Sequence, residues 1–210
     1  MKYPVKISKF YLFKLSLPVF FSNLAIPLVG LVDTALMGHL GSVNFLAATA
    51  IATSVITMIF WSFGFLRMGT TGMVAQSLGK GDYREIALGF LRNLCVAAII
   101  SLIIMLSKNQ ILLLIEEYFN TSPEIHSLIK KYISIRLLSA PAELTIYVLV
   151  GFYLGLQKTV ISSFIITFFC VSNIIASSYF VLILDMNIYG VALGTVLAAY
   201  ITVFIFIIQT

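Results

Sequence analysis

A chain of 210 residues is long enough for one soluble domain, but 60% of these residues are hydrophobic, 10% are charged and the mean hydropathy is +1.07. A soluble domain carries about 25% charged residues, so this chain lacks the polar surface to face water on all sides and lipid must solvate most of its side chains. The formal charge of +5 comes from Lys and Arg spread along the chain, without the basic, aromatic-interleaved stripe that nucleic acid requires, which excludes a nucleic-acid partner.

Crossing the hydrocarbon core takes about 20 apolar residues in a helix. Six stretches meet this, at 11–37, 45–77, 87–106, 128–154, 160–184 and 188–208. They predict an all-α integral membrane protein, a single bundle of about six transmembrane helices over residues 1–210. Lys2, Lys6, Lys9 and Lys14 precede the first stretch as in a signal peptide. The apolar run is too long, however, and has no small-residue cleavage site, so it reads as a retained first helix. Pro18 and Pro27 lie within it, and each removes a backbone donor, which predicts a helix able to bend there.

Short polar segments separate the stretches. They are Gly38 to Ser42, Gly79 to Asp82, Ser107 to Ser127 (expected as a longer loop), Gln157 to Thr159 and Asp185 to Asn187. An inside amino terminus puts Lys80, Arg84, Arg92 and Lys158 on the same side as the four amino-terminal lysines. Lys108, Lys130 and Lys131 fall opposite, with Glu116, Glu117 and Glu124. That bias places both termini on the cytoplasmic face of the cell membrane. The sixth stretch runs out at Ile208-Gln209-Thr210, and no internal repeat divides the chain, so it is expected to be part of something larger.

Ionisable groups inside a span cost about 2.5–3.5 kcal/mol on insertion scales and therefore point to function. Asp33, in Gly30-Leu31-Val32-Asp33-Thr34-Ala35, is the clearest; it reads as a carboxylate for a proton or Na⁺ in a cavity between helices, or as a helix-end group in interfacial water. Asn173 and Ser177 share a face of the fifth helix at i,i+4, and Thr195 follows on the sixth. These three could support Asp33 or simply bond across helices. Arg67 and Glu143 suggest structural pairing: Arg67, near the cytoplasmic half of the second span, could snorkel to the interface or pair with a carbonyl, and Glu143, after Pro141, could also line a cavity. Cys95 and Cys170 read as small apolar groups packed between helices. No metal, nucleotide or catalytic motif appears, so no enzyme activity and no cofactor is expected, and energy would have to come from an H⁺ or Na⁺ gradient.

The run from Gly30 to Gly41, GLVDTALMGHLG, closely resembles the first-helix signature of multidrug and toxic compound extrusion (MATE) transporters, within them the DinF type. Trp61 to Gly72 (WSFGFLRMGTTG), Ala75-Gln76 and Gly79-Lys80-Gly81-Asp82 are similar to that type's second-helix and loop motif. Gly151 to Thr159 (GFYLGLQKT), with Gln157, resembles the end of its fourth helix and Tyr189 to Thr195 (YGVALGT) its sixth. The resemblance implies one lobe of a two-lobe alternating-access antiporter that exports cationic or amphipathic compounds. It implies an ion site of Asp33, Asn173 and Thr195, with Ser177 where the family often has a second aspartate. A lone carboxylate favours H⁺ over Na⁺. Only the amino-terminal lobe is spanned, so the expected partners are lipid, a small substrate, and either a carboxy-terminal lobe or a second copy of the chain. The alternative expectation is a remnant or interaction subunit that transports nothing.

Overall fold

The computed structural model describes residues 9–119 and 121–208, without the side chains of residues 9–12, 14 and 15. Lys2, Lys6, Gln209 and Thr210, and the side chains of Lys9 and Lys14, thus lie outside the described residues. Among the described residues the elements are helical, and six helical segments are long and apolar enough to cross a membrane. In chain order the helices are α1 (Lys9–His39), α2 (Val43–Ser62), α3 (Phe65–Lys80), α4 (Tyr83–Leu106), α5 (Lys108–Tyr118), α6 (Pro123–Arg136), α7 (Ala140–Gly155), α8 (Thr159–Leu182) and α9 (Asn187–Ile207). A 3₁₀ turn, Leu137–Ser139, joins α6 to α7.

The first, third, fifth and sixth spans are α1, α4, α8 and α9, each starting or ending within a few residues of its predicted limit. α1 continues as one helix through Pro18 and Pro27. Pro27 still leaves the carbonyl of Asn23 without its i+4 donor, so the proline-weakened points remain built into the helix.

The second and fourth spans differ from the expected single helices. The second is α2 followed by α3, broken at Phe63-Gly64, where bonding tightens to i+3: Gly64 N–H donates to Trp61 O at 3.0 Å and Leu66 N–H to Phe63 O at 3.0 Å. The fourth is α6 followed by α7. Pro141 has no N–H for the Leu137 carbonyl, and the chain takes up a 3₁₀ turn just before it. The expected loop from Ser107 to Ser127 is also corrected. Most of it is α5, which buries Leu112 and Ile115 and at about 16 Å is too short to span the bilayer.

Helix ends follow local chemistry. Gly81 takes φ 71° beyond α3, a left-handed conformation that costs glycine little, and the Asp82 carboxylate then accepts the Glu85 N–H at 2.9 Å to cap α4. Ser122 caps α6 with Pro123 in its first turn.

α8 packs between α1 and α9, α2 packs on α6, and α3 packs on α7. Close approach depends on small residues. A Cβ at Gly151 would meet Arg67 O at 2.5 Å, and one at Gly194 would meet Ser177 Oγ at 2.5 Å and Ser177 N at 2.6 Å. Gly151 and Gly155 on α7, like Gly190 and Gly194 on α9, have the four-residue small-residue spacing that lets membrane helices touch backbone to backbone. Thr71 Oγ1 uses the α3–α7 approach to donate to Gly151 O at 3.1 Å.

Candidate functional site

A cavity of about 300 Å³ opens where α1, α2, α3, α6, α7, α8 and α9 meet, at the level of the breaks in the second and fourth spans. Asp33 enters it from α1, Arg67 from the first turn of α3, Tyr132 and Arg136 from the end of α6, Glu143 from the start of α7, Asn173 from α8 and Thr195 from α9. Its walls are apolar and aromatic, with Phe60, Trp61, Tyr147 and Phe169 among them.

Three polar arrangements occupy the lining. In the first, Ser177 Oγ donates to Asn173 Oδ1 at 3.3 Å, Asn173 Nδ2 donates to Thr195 Oγ1 at 2.8 Å, and Thr195 Oγ1 donates to the Val191 carbonyl at 3.1 Å. All three side chains are buried. The chain of donors uses every hydroxyl proton and leaves acceptor lone pairs on Asn173 Oδ1 and Thr195 Oγ1 for a further partner. Ser177 itself sits behind Asn173, held against Gly194, and is not part of the cavity wall.

The second arrangement is an ion pair. Arg136 Nη1 lies 2.5 Å from Glu143 Oε1, with only 11% and 12% of the two side chains exposed. Ser139 bridges them: its Oγ is 2.6 Å from Arg136 Nη1 and 2.7 Å from Glu143 Oε1. Ser139 is three residues after Arg136 and four before Glu143, so the 3₁₀ turn puts all three on one face. Arg136 also lies over the Phe60 ring, 5.7 Å from its centroid. Beside it Tyr132 reaches Thr53 at 3.4 Å between hydroxyl oxygens.

The third is Asp33, whose Oδ1 is buried with no hydrogen-bond partner. A buried carboxylate oxygen left unpaired is costly, and a proton, a cation or a ligand donor would relieve it.

The structure therefore brings Asp33, Asn173 and Thr195 to one cavity. Glu143 has the expected pairing role, with Arg136. Arg67 lines the cavity from the first turn of α3, just past the break at Phe63-Gly64. Gln76 and Gln157 are exposed and outside the cavity, Gln157 at φ 61° in the turn between α7 and α8. Cys170 is buried on the cavity wall, whereas Cys95 is exposed on α4 and not packed between helices. His39 is exposed at the end of α1.

Sequence reasoning missed Arg136, Tyr132 and Thr53. The available signal was Arg136 itself, an arginine inside the fourth apolar stretch, two helical turns before Glu143 with a serine between them.

Comparison with known proteins follows the same lines. The MatE family model matches residues 18–180. The chain is 36% identical over 194 residues to DNA damage-inducible protein F of Escherichia coli, covering 92% of this chain and 42% of that protein. It is 30% identical over 149 residues to multidrug resistance protein MdtK of Cronobacter sakazakii, covering 70% of this chain and 32% of that protein. A solved outward-facing multidrug resistance MATE family transporter superposes with a TM-score of 0.85 at 21% identity, over 91% of this chain and 42% of that one. The chain thus spans less than half the length of the relatives it matches. With six apolar helices in the arrangement of one transporter lobe, it is a multi-pass membrane protein that belongs to the MatE family of multidrug efflux transporters.

Proposed function

We propose that residues 1–210 form the amino-terminal lobe of a cation-coupled efflux antiporter that works together with a second lobe, and that Asp33 carries the coupling ion. The observation behind this reading is the buried Oδ1 of Asp33, without a hydrogen-bond partner, on the wall of a cavity in which Asn173, Thr195, Arg136 and Glu143 are all hydrogen-bonded. Asn173 and Thr195 supply neutral oxygens nearby, and their remaining lone pairs suit a supporting role. The coupling ion is H⁺ in preference to Na⁺. Ser177 stands where a second carboxylate would help dehydrate and hold a metal cation, and it is occupied in packing against Gly194. Glu143 is neutralised by Arg136 and so does not supply that second charge.

The cargo is a small amphipathic compound and the protein sits in the cell membrane with both termini cytoplasmic. The proton gradient provides the energy, with no bound cofactor. A proton arriving at Asp33 removes the one negative charge, among the described cavity residues, that is in no ion pair, which changes what the cavity holds and ties ion movement to cargo movement.

The test is dye export from proteoliposomes under an imposed pH gradient, with the chain alone and combined with a carboxy-terminal lobe. Export requires both lobes, and Asp33→Asn lowers it at least tenfold. Undiminished export by that variant removes the role given to Asp33, and export sustained by a Na⁺ gradient alone overturns the assignment of the proton.

A further inference from the structure

Arg67 is the one cavity group for which the chemistry above has no use. It stands in the first turn of α3, just past the break in the second span, with about 20 Å of helix between it and Lys80 at the end of α3. Its side chain lines the cavity, and among the described residues it takes part in no ion pair or side-chain hydrogen bond. The other guanidinium, Arg136, is already matched by Glu143 and Ser139. Two opposite charges therefore face the same space, and among the described residues neither is in an ion pair. Asp33 projects from α1 and Arg67 from α3, and they are not in contact with each other.

We infer that Arg67 is a ligand-binding residue that recognises an anionic group, and that the ligand of this lobe is a dipolar amphipath. Its ammonium meets Asp33, its carboxylate or other oxyanion meets Arg67, and its apolar body lies against rings such as Trp61 and Phe169. The part concerning Asp33 rests on the reading of the preceding subsection; the part concerning Arg67 does not. A ligand with positive charge alone would satisfy the carboxylate but lie beside a guanidinium with no ion-pair partner in a largely apolar cavity. A dipolar ligand satisfies both groups, and each buried charge is otherwise expensive. Arginine is suited to this, because its planar fork pairs with a carboxylate through two parallel hydrogen bonds. The volume, about 300 Å³, is at the small end for ligand pockets and fits an aromatic amino-acid-sized body.

Three probes with one aromatic body separate the charges: naphthylalanine (dipolar), its methyl ester (cation only) and its N-acetyl derivative (anion only). Binding of each to the purified 210-residue chain in lipid nanodiscs is measured by calorimetry. Naphthylalanine binds at least tenfold more tightly than either derivative. Arg67→Gln brings it down to the level of its ester while leaving the ester unweakened, and Arg67→Lys retains part of the preference. Asp33→Asn brings it down to the level of the N-acetyl form.

An ester that binds wild type as well as naphthylalanine overturns the inference. So does absence of binding by all three probes, or an Arg67→Gln variant with the preference intact. If Arg67→Gln collapses the preference while Asp33→Asn does not, the Arg67 subsite stands and the reading of Asp33 falls. Should Arg67→Gln fail to fold, as judged by gel filtration, the wild-type preference and Arg67→Lys decide the matter.

Discussion

Charge placement at single residues accounts for most of what is specific to this lobe. Arg136 and Glu143 are each almost wholly enclosed and each depends on the other. Removing one partner of such a pair leaves a buried charge behind, at a cost of roughly 3–5 kcal/mol, whereas removing both together is far less damaging. Arg136→Met and Glu143→Leu should therefore each destabilise the lobe by about that much, and the double variant by less than either. Unfolding by denaturant titration in mixed micelles checks this, and additive losses would show that the pair is not coupled. Asp33 was legible in the sequence because a carboxylate inside an apolar run has few innocent explanations. Arg136 was equally visible as a letter, but its meaning depends on a 3₁₀ turn that brings Ser139 and Glu143 to the same side. Ser177 was placed correctly on the face of Asn173. Its withdrawal from the cavity was not legible, because that depends on how closely Gly194 of another helix approaches.

Among helices, the close contacts sort the glycines into those that packing requires and those it does not. A methyl at Gly194 would press on the backbone of α8 as well as on Ser177 Oγ, while one at Gly72 would meet nothing within 4 Å. Gly194→Ala should cost about 1–3 kcal/mol by forcing the α8–α9 contact apart, and Gly72→Ala should leave stability nearly unchanged. Thermal unfolding of the two variants side by side measures this. Thr71→Val should lose about 0.6 kcal/mol with its bond to Gly151, detectable by the same assay. Hydropathy located the six spans well, since length and apolarity set them. It could not show the break at Phe63-Gly64, where no proline marks the chain and apolar residues resume on both sides. The break at Leu137–Ser139 did have a marker, Pro141, though its effect there is a tightened turn and not an end to the span. α5 was read as loop because eleven residues give too little apolar length to register as a span.

For the molecule as a whole, the alternation of spans fixes which connections share a side. The α3–α4 turn with Lys80 and the α7–α8 turn with Lys158 belong to one face, and α5 with Glu117 belongs to the other. In a Cys95→Ser background, single cysteines at Lys80 and Lys158 should be labelled by an impermeant maleimide only from the cytoplasmic side, and a cysteine at Glu117 only from outside. Labelling of all three from the same side would refute the topology. Large apolar side chains such as Ile99, Leu102, Phe164 and Phe204 face outward, which is where lipid or a facing lobe must cover them.

The two broken spans also have a mechanical consequence. α2 packs on α6 and α3 packs on α7, so both helix pairs change partners' halves at a single depth, and the cavity lies at that depth. The lobe is in effect two storeys with a seam between them, crossed by the unbroken α1, α8 and α9. Arg67 stands on one side of that seam, Arg136 on the other side, and the bridge from Arg136 through Ser139 to Glu143 works as a rivet across it.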